Sequence, residues 1–200
     1  MTFFNKIKWT LGILMVFVLI VTTNLIDRNN FVRVKDSVVS IYEDRLVAKN
    51  LILEFSNSIH KKEVAVALSD STFFKVSNKE ENKNIENLIS KFEATKLTKE
   101  ESKTFSNLKE NLQQLNNTES KYVTSNFSSK EDMFKQIAKI KKNLEDLSKI
   151  QLLEGSKQMS ISKKAIDSVE LFTQIEIYLL IFLAIVIQII VMYNPKKEDN

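Results

Sequence analysis

One arginine in this chain sits where its charge has to be answered. Arg45 falls on an apolar stripe formed by Val34, Val38, Ile41, Ala48, Ile52, Phe55 and Ile59. The alternating three- and four-residue spacing of that stripe is the mark of a helix face buried against partner helices. A guanidinium there needs a carboxylate or a ligand, because an unpaired buried charge is strongly destabilising. Far along the chain, Gln151, Glu154 and Gln158 continue the spacing that runs through Met133, Ile137, Ile140, Leu144 and Leu147. If the two ends of the chain pair antiparallel, with Asp27 level with Ile175, Arg45 lies at the height of Glu154 to Gln158. The layer of Arg45, Glu154 and Gln158 is therefore the candidate ligand site. It either fixes helix register or accepts a small anion at a helix or dimer interface.

A purely structural reading competes at the same residues. A second seam through Leu152, Gly155, Met159, Ser162, Ile166 and Val169 keeps the same spacing, and a stutter after Leu147 would turn Gln151, Glu154 and Gln158 to the surface. Arg45 would then lay its stem along the core and hold its head in water. The remaining chemistry is sparse. His60 is the only histidine and cysteine is absent, so no metal site is expected. Without a glycine-rich phosphate loop, a Ser-His-Asp arrangement or an HExxH motif, no catalytic residues and no cofactor are expected, and the chain is read as a non-enzyme. Basic and acidic residues are interspersed and the formal charge is only +4, which gives nucleic-acid binding little support.

The elements that must position Arg45 are helices. The whole chain has two glycines and one proline, which argues against a sheet protein with many tight turns. No breaker separates Arg45 from the apolar run at 9–26, so one helix is expected to continue to about Leu68. Asp70, Ser71 and the run Ser77-Asn78-Lys79-Glu80-Glu81-Asn82 break the pattern with turn and cap chemistry, with Phe73 and Phe74 capping the distal core. Ile85, Leu88, Ile89 and Phe92 mark a short second helix. Thr98 with Glu101 forms a capping box and opens a third, whose seam is Phe105, Leu108, Leu112, Leu115 and Tyr122, with Glu119 as a polar interruption. Asn126-Phe127-Ser128 turns the chain, and Ser128 with Glu131 reads as a second capping box before the fourth helix.

The runs at 9–26 and 177–193 are apolar and uncharged. At about 1.5 Å rise per residue, each reaches roughly the 25–30 Å of a hydrocarbon core. Lys6 and Lys8 precede the first span and Lys196 and Lys197 follow the second, so both termini are expected in the cytoplasm and the middle region outside. Trp9, Tyr178 and Tyr193 fall at span ends, where amphipathic rings favour the headgroup zone. An uncleaved signal anchor is preferred to a signal peptide, because the run is long and Val21-Thr22-Thr23-Asn24 is not a small-x-small cleavage site. Thr22, Thr23, Asn24 and Gln188 are polar groups at or near membrane depth, available to bond between spans or, for the first three, lying at the outer interface. The expected fold is all-α: an antiparallel up-down-up-down four-helix bundle flanked by two transmembrane helices. Its expected layout is a cytoplasmic N-terminus 1–8, span 9–26, bundle 27–174, span 175–193 and cytoplasmic tail 194–200.

The segment Tyr42-Glu43-Asp44-Arg45-Leu46, following Ile41 beyond a first span, resembles the "IYEDRL" stretch in the four-helix-bundle sensory domain of bacterial methyl-accepting chemotaxis receptors. Helix order and a closing span extend the likeness over residues 1–193. The resemblance implies a bundle outside the bacterial cytoplasmic membrane and a homodimer. It also implies a small ligand or ligand-loaded protein that shifts the helix leading into the second span. Receptors of that family continue into a HAMP linker and a cytoplasmic signalling hairpin, whereas only 194–200 follow the second span here. The expectation is that output passes to a separate cytoplasmic signalling protein. A structural or adaptor bundle that binds or spaces envelope proteins is the alternative.

Overall fold

The computed structural model describes residues 3–128 and 130–192. Tyr193, Pro195, Lys196 and Lys197 lie outside the described residues, as do the side chains of Lys6, Lys8 and Trp9. Every regular element is helical: α1 (Phe3–Ser40), a π-turn (Ile41–Leu46), α2 (Val47–Leu68), a second π-turn (Phe73–Ser77), α3 (Asn78–Glu93), α4 (Lys99–Thr124) and α5 (Lys130–Met192). The chain divides into two compact units, Met1–Ser37 with Ser160–Asn200, and Val38–Met159.

The second unit is the bundle, and cross-helix pairs give its topology. Lys62 of α2 meets Asn78 and Asn82 of α3, while Ser58 meets Asn84, so α2 and α3 run antiparallel. Glu93 of α3 meets Lys109 of α4, while Asn78 meets Glu119, which is again antiparallel. Ala67 accepts from Lys130 and Glu63 from Lys141, so α5 descends beside α2. Arg45, Lys62 and Val66 meet Glu101, Glu119 and Tyr122 in the same order, so the first and third helices are parallel. This is the expected up-down-up-down order.

Local chemistry sets the reversals. Ser69 and Asn126 adopt left-handed φ of 50° and 53°. At the first reversal Asp70 N–H returns to Ala65 O and Ser69 N–H to Val66 O; at the second, Phe127 N–H returns to Tyr122 O and Asn126 N–H to Val123 O. Both are Schellman closures, in which the last carbonyls of a helix are satisfied by the chain that leaves it. Asp70 then accepts from the N–H groups of Thr72 and Phe73 and starts the next helical stretch. At Thr98 both bonds of the expected capping box are present, Glu101 N–H to Thr98 Oγ1 at 3.2 Å and Thr98 N–H to Glu101 Oε2 at 2.5 Å. The box expected at Ser128 is not placed: α5 begins at Lys130, residue 129 lies outside the described residues, and Ser128 donates to Ser125 O.

The core takes one stripe from each helix, among them Phe55 and Ile59, Leu88 and Phe92, Phe105 and Leu108, and Ile140 and Leu147. Phe92 and Phe105 stack at 4.5 Å between centroids. Phe74, Tyr122 and Phe127 close the distal end edge-on, with Phe73 against Phe74, as their positions in the chain suggest.

Three expectations are corrected. Residues 78–82 are the start of α3 and not part of a turn, because Asn78 and Asn82 spend their amides on buried partners instead of competing with their own backbone. Val38 is 54% exposed and Ser37 is buried, so the buried rhythm of the first helix runs 34, 37, 41, 45, 48. In α5, Leu152, Met159 and Ile166 of the second seam are exposed, although its Ser162 is buried and its Gly155 and Val169 are half-buried; Gln151 and Ala165 are buried, and Glu154 and Gln158 half-buried. The stutter that would turn Gln151, Glu154 and Gln158 to the surface does not occur.

The other unit pairs the ends of the chain. Among the described residues, two helices are by length and composition apolar enough to cross a membrane, in the stretches Leu11–Leu68 and Lys130–Val186, and the apolar windows in both are unburied. Among the described residues, Asn30, Ser37, Ser162 and Ala165 are the buried positions of this unit, small or short side chains of the kind that let helix backbones approach. Thr22 and Asn24 bond to the carbonyls of Val18 and Ile20, and Thr23 to those of Leu19 and Ile20, so these polar groups are satisfied within their own helix.

Candidate functional site

The first π-turn sets Arg45 into the bundle. Its wide winding is seen in the bond from Val47 N–H to Tyr42 O, five residues back. Arg45 is 8% exposed. Its Nη1 donates to Glu101 Oε1 in a short contact and to Gln151 Oε1 at 3.1 Å, and its Nη2 donates to Lys96 O at 3.0 Å. Three other parts of the bundle therefore converge on one side chain: the start of α4, the loop before it, and α5.

Glu101 has no exposed surface and divides its two oxygens between Arg45 and the N-cap N–H of Thr98. The carboxylate is compensated twice, by a cation and by a backbone donor at a helix N-terminus, where a negative charge is favoured. Gln151 Nε2 is buried with no hydrogen-bond partner among the described residues.

The sequence reading expected a carboxylate facing Arg45 and named Glu154. The carboxylate that meets Arg45 is Glu101. Glu154 lies 3.6 Å from Lys157 on its own helix, and Gln158 is half-buried one turn beyond. Of the family-like segment, Asp44 accepts from Ser40 at 2.9 Å, while Tyr42, Glu43 and Leu46 face outward. His60 is exposed and 3.5 Å from Glu63. Among the described residues no group of three or more His, Cys, Asp or Glu is placed to hold a metal ion.

A second polar cluster went unread in the sequence. Lys62 is fully buried, and its ammonium donates to Asn78 Oδ1 at 2.5 Å, Asn82 Oδ1 at 2.6 Å and Glu119 Oε1 at 2.5 Å. Asn78 Nδ2 closes the ring by donating to Glu119 Oε2 at 2.9 Å. An ammonium has three protons, and each has an acceptor. The available signal was position: Lys62 follows Phe55 and Ile59 at the three-four spacing and precedes Val66.

On the outside of α2 and α5 an open groove of about 940 Å³ runs from Tyr42 to His60. Leu46, Leu53, Ile52 and Leu144 give it an apolar floor, and Lys49, Lys141 and Lys149 stand along its edges. At its distal end Glu63 accepts from Lys141 at 3.0 Å. Burial alone pushes the Glu63 carboxyl up, but hydrogen bonds from Lys141 and His60 outweigh it and hold the group below the usual glutamate range. Glu81 follows the same pattern, with burial opposed by hydrogen bonds from Ser58 and Lys61.

A carboxyl with a depressed folded value adds stability that is complete above its unfolded value and is lost as pH falls through the folded one. The denaturation midpoint is therefore expected to fall as pH drops below the ordinary glutamate range, with Glu63→Gln and Glu81→Gln flattening the slope. An unchanged slope in both variants would remove these carboxylates as the cause.

Over residues 1–166 the chain matches the family model described as a four helix bundle sensory module for signal transduction. No curated protein and no solved structure matches it. The match takes in the first apolar helix, all four bundle helices and the π-turn that carries the receptor-like segment. The chain thus belongs to the four-helix-bundle sensory modules for signal transduction, the bundles of methyl-accepting chemotaxis receptors.

Proposed function

We propose that this chain is a sensory module anchored in the cytoplasmic membrane of a bacterium, non-catalytic and homodimeric, with both termini in the cytoplasm and the bundle outside. It binds a small ligand or partner at the groove between α2 and α5 and passes a displacement of α5 into the second span, for a separate signalling protein to read. The observation that carries this reading is the continuity of α5. One unbroken helix supplies a wall of the groove through Lys141, Leu144 and Lys149, reaches Arg45 through Gln151, and contains the second candidate span. A contact at the groove acts on the same helix that contains the second candidate span. Arg45 acts in this reading as a register lock, and Glu154 and Gln158 as the half-buried polar layer next to it.

A thermal-shift screen of the full chain in nanodiscs, against amino acids, organic acids and sugars, tests the proposal. A true ligand raises the melting temperature by mass action, and Leu53→Glu in the groove abolishes the shift. A shift that survives Leu53→Glu places the ligand elsewhere. If no compound shifts the melting temperature, the second reading stands: an adaptor bundle without a ligand. It is favoured by the occupation of Arg45 inside the bundle by Glu101, Gln151 and Lys96.

A further inference from the structure

The segment 34–48 carries two usable seams, and the structure takes the less obvious one. In uniform α winding, Val34, Val38, Ile41, Arg45 and Ala48 would share a face at steps of four, three, four and three. In the structure the polar Ser37 is buried and the apolar Val38 is 54% exposed. From Ser37 through Ile41 to Arg45 the step is four and four. At about 100° per residue, eight residues overshoot two full turns by about 80°. The wide winding of Ile41–Leu46 takes up that excess. Single π-turns of this kind are one-residue insertions and are frequent at functional positions.

We propose that residues 37–46 are a two-state register switch. In one state the π-turn is wound and Ser37 faces inward; in the other the winding is α throughout and Val38 replaces it. Arg45 is on the seam in both states, and its bonds to Glu101, Gln151 and Lys96 hold the downstream side fixed. Relaxation of the π-turn therefore exchanges Ser37 for Val38 on the inward face of the helix while Arg45 keeps its bonds. The switch deepens the sensory reading and rests on it for its use, but its existence is decided without any ligand.

The chain contains no cysteine, so a single introduced thiol reports alone. In the full chain in nanodiscs, Val38→Cys is expected to react quickly with a water-soluble maleimide. Adding Ser37→Asp penalises the π-wound state and is expected to slow that reaction by about tenfold. In a chain with the exposed Glu43 deleted, the extra residue is gone and Ser37, Ile41 and Arg45 follow at four and three. There Ser37→Asp leaves the Val38→Cys rate high. Equal rates with and without Ser37→Asp, in chains of normal helicity, would overturn the switch. Should Ser37→Asp fail to fold, the deletion decides. It is expected to keep the melting temperature at or above that of the parent and to keep Ser37→Cys slow. A lower melting temperature or a fast Ser37→Cys overturns the proposal and leaves the sensory reading standing.

Discussion

Lys62→Met is expected to lower the stability of the bundle by about 3–5 kcal/mol, because it removes the one cation facing Glu119 and leaves a carboxylate buried without its counter-charge. Methionine fills most of the lysine stem's volume, so the loss is electrostatic and not a cavity. Glu119→Met alone should cost a similar amount, by stranding the ammonium. The double variant is expected to lie nearer the parent than either single one, since an apolar pair of similar volume is often as stable as the ion pair it replaces. Asn78 and Asn82 sit at the half-buried edge of the cluster and can turn to water. Thermal melting followed by circular dichroism reads all three variants. A double variant as unstable as the sum of the singles would show that the ring is not the coupled unit described. Burial holds the Lys62 ammonium below the ordinary lysine range, against the opposing pull of Glu119. The folded state therefore binds that proton less tightly than the unfolded chain, and stability at this site rises as pH climbs through the lowered value toward the ordinary one.

Arg45→Ala is expected to cost a comparable amount, about 3–5 kcal/mol, by leaving Glu101 with no cation in a fully buried position. Arg45→Lys should recover only part, because an ammonium at the end of a different stem cannot span Glu101, Gln151 and the Lys96 carbonyl as a planar fork does. Gln151→Ala should cost only about 1 kcal/mol, since it removes one neutral acceptor along with an amide that lacks a partner. If Gln151→Ala matched Arg45→Ala, the tie to α5 and not the ion pair would be the stabilising contact. Denaturant midpoints of the three variants at neutral pH give the order.

The helices, the distal aromatic cap and the Thr98 capping box were legible because each is written in neighbouring residues: a spacing, a pair three apart, a breaker. The two apolar stretches long enough to cross a membrane are legible for the same reason. What could not be read was which side chains answer each other across long separations. Arg45 reads in the sequence as needing a carboxylate, and an antiparallel level at the far end of the chain points to Glu154. Glu101 reads as a cap, but a capping glutamate has a second oxygen to offer. Lys62 lies in the run Lys61-Lys62-Glu63, which looks like a solvated face. Glu119 reads only as an interruption, and Asn78 and Asn82 read as turn and cap residues. Each of the four looks unfavourable alone, and only their meeting makes them consistent. The choice of Ser37 over Val38 was out of reach for another reason: periodicity assumes one winding, and a π-turn changes it.

Glu101 has one further consequence. One of its oxygens holds the N-cap amide of Thr98 just before α4 and the other holds Arg45. The place at which α4 begins is thereby tied to the position of a side chain from a different helix. Any movement that draws Arg45 away leaves the carboxylate to reorient, and the opening turn of α4 should fray. Amide hydrogen exchange at residues 99–103 would then serve as a natural gauge of what happens at residue 45, with no label attached to either.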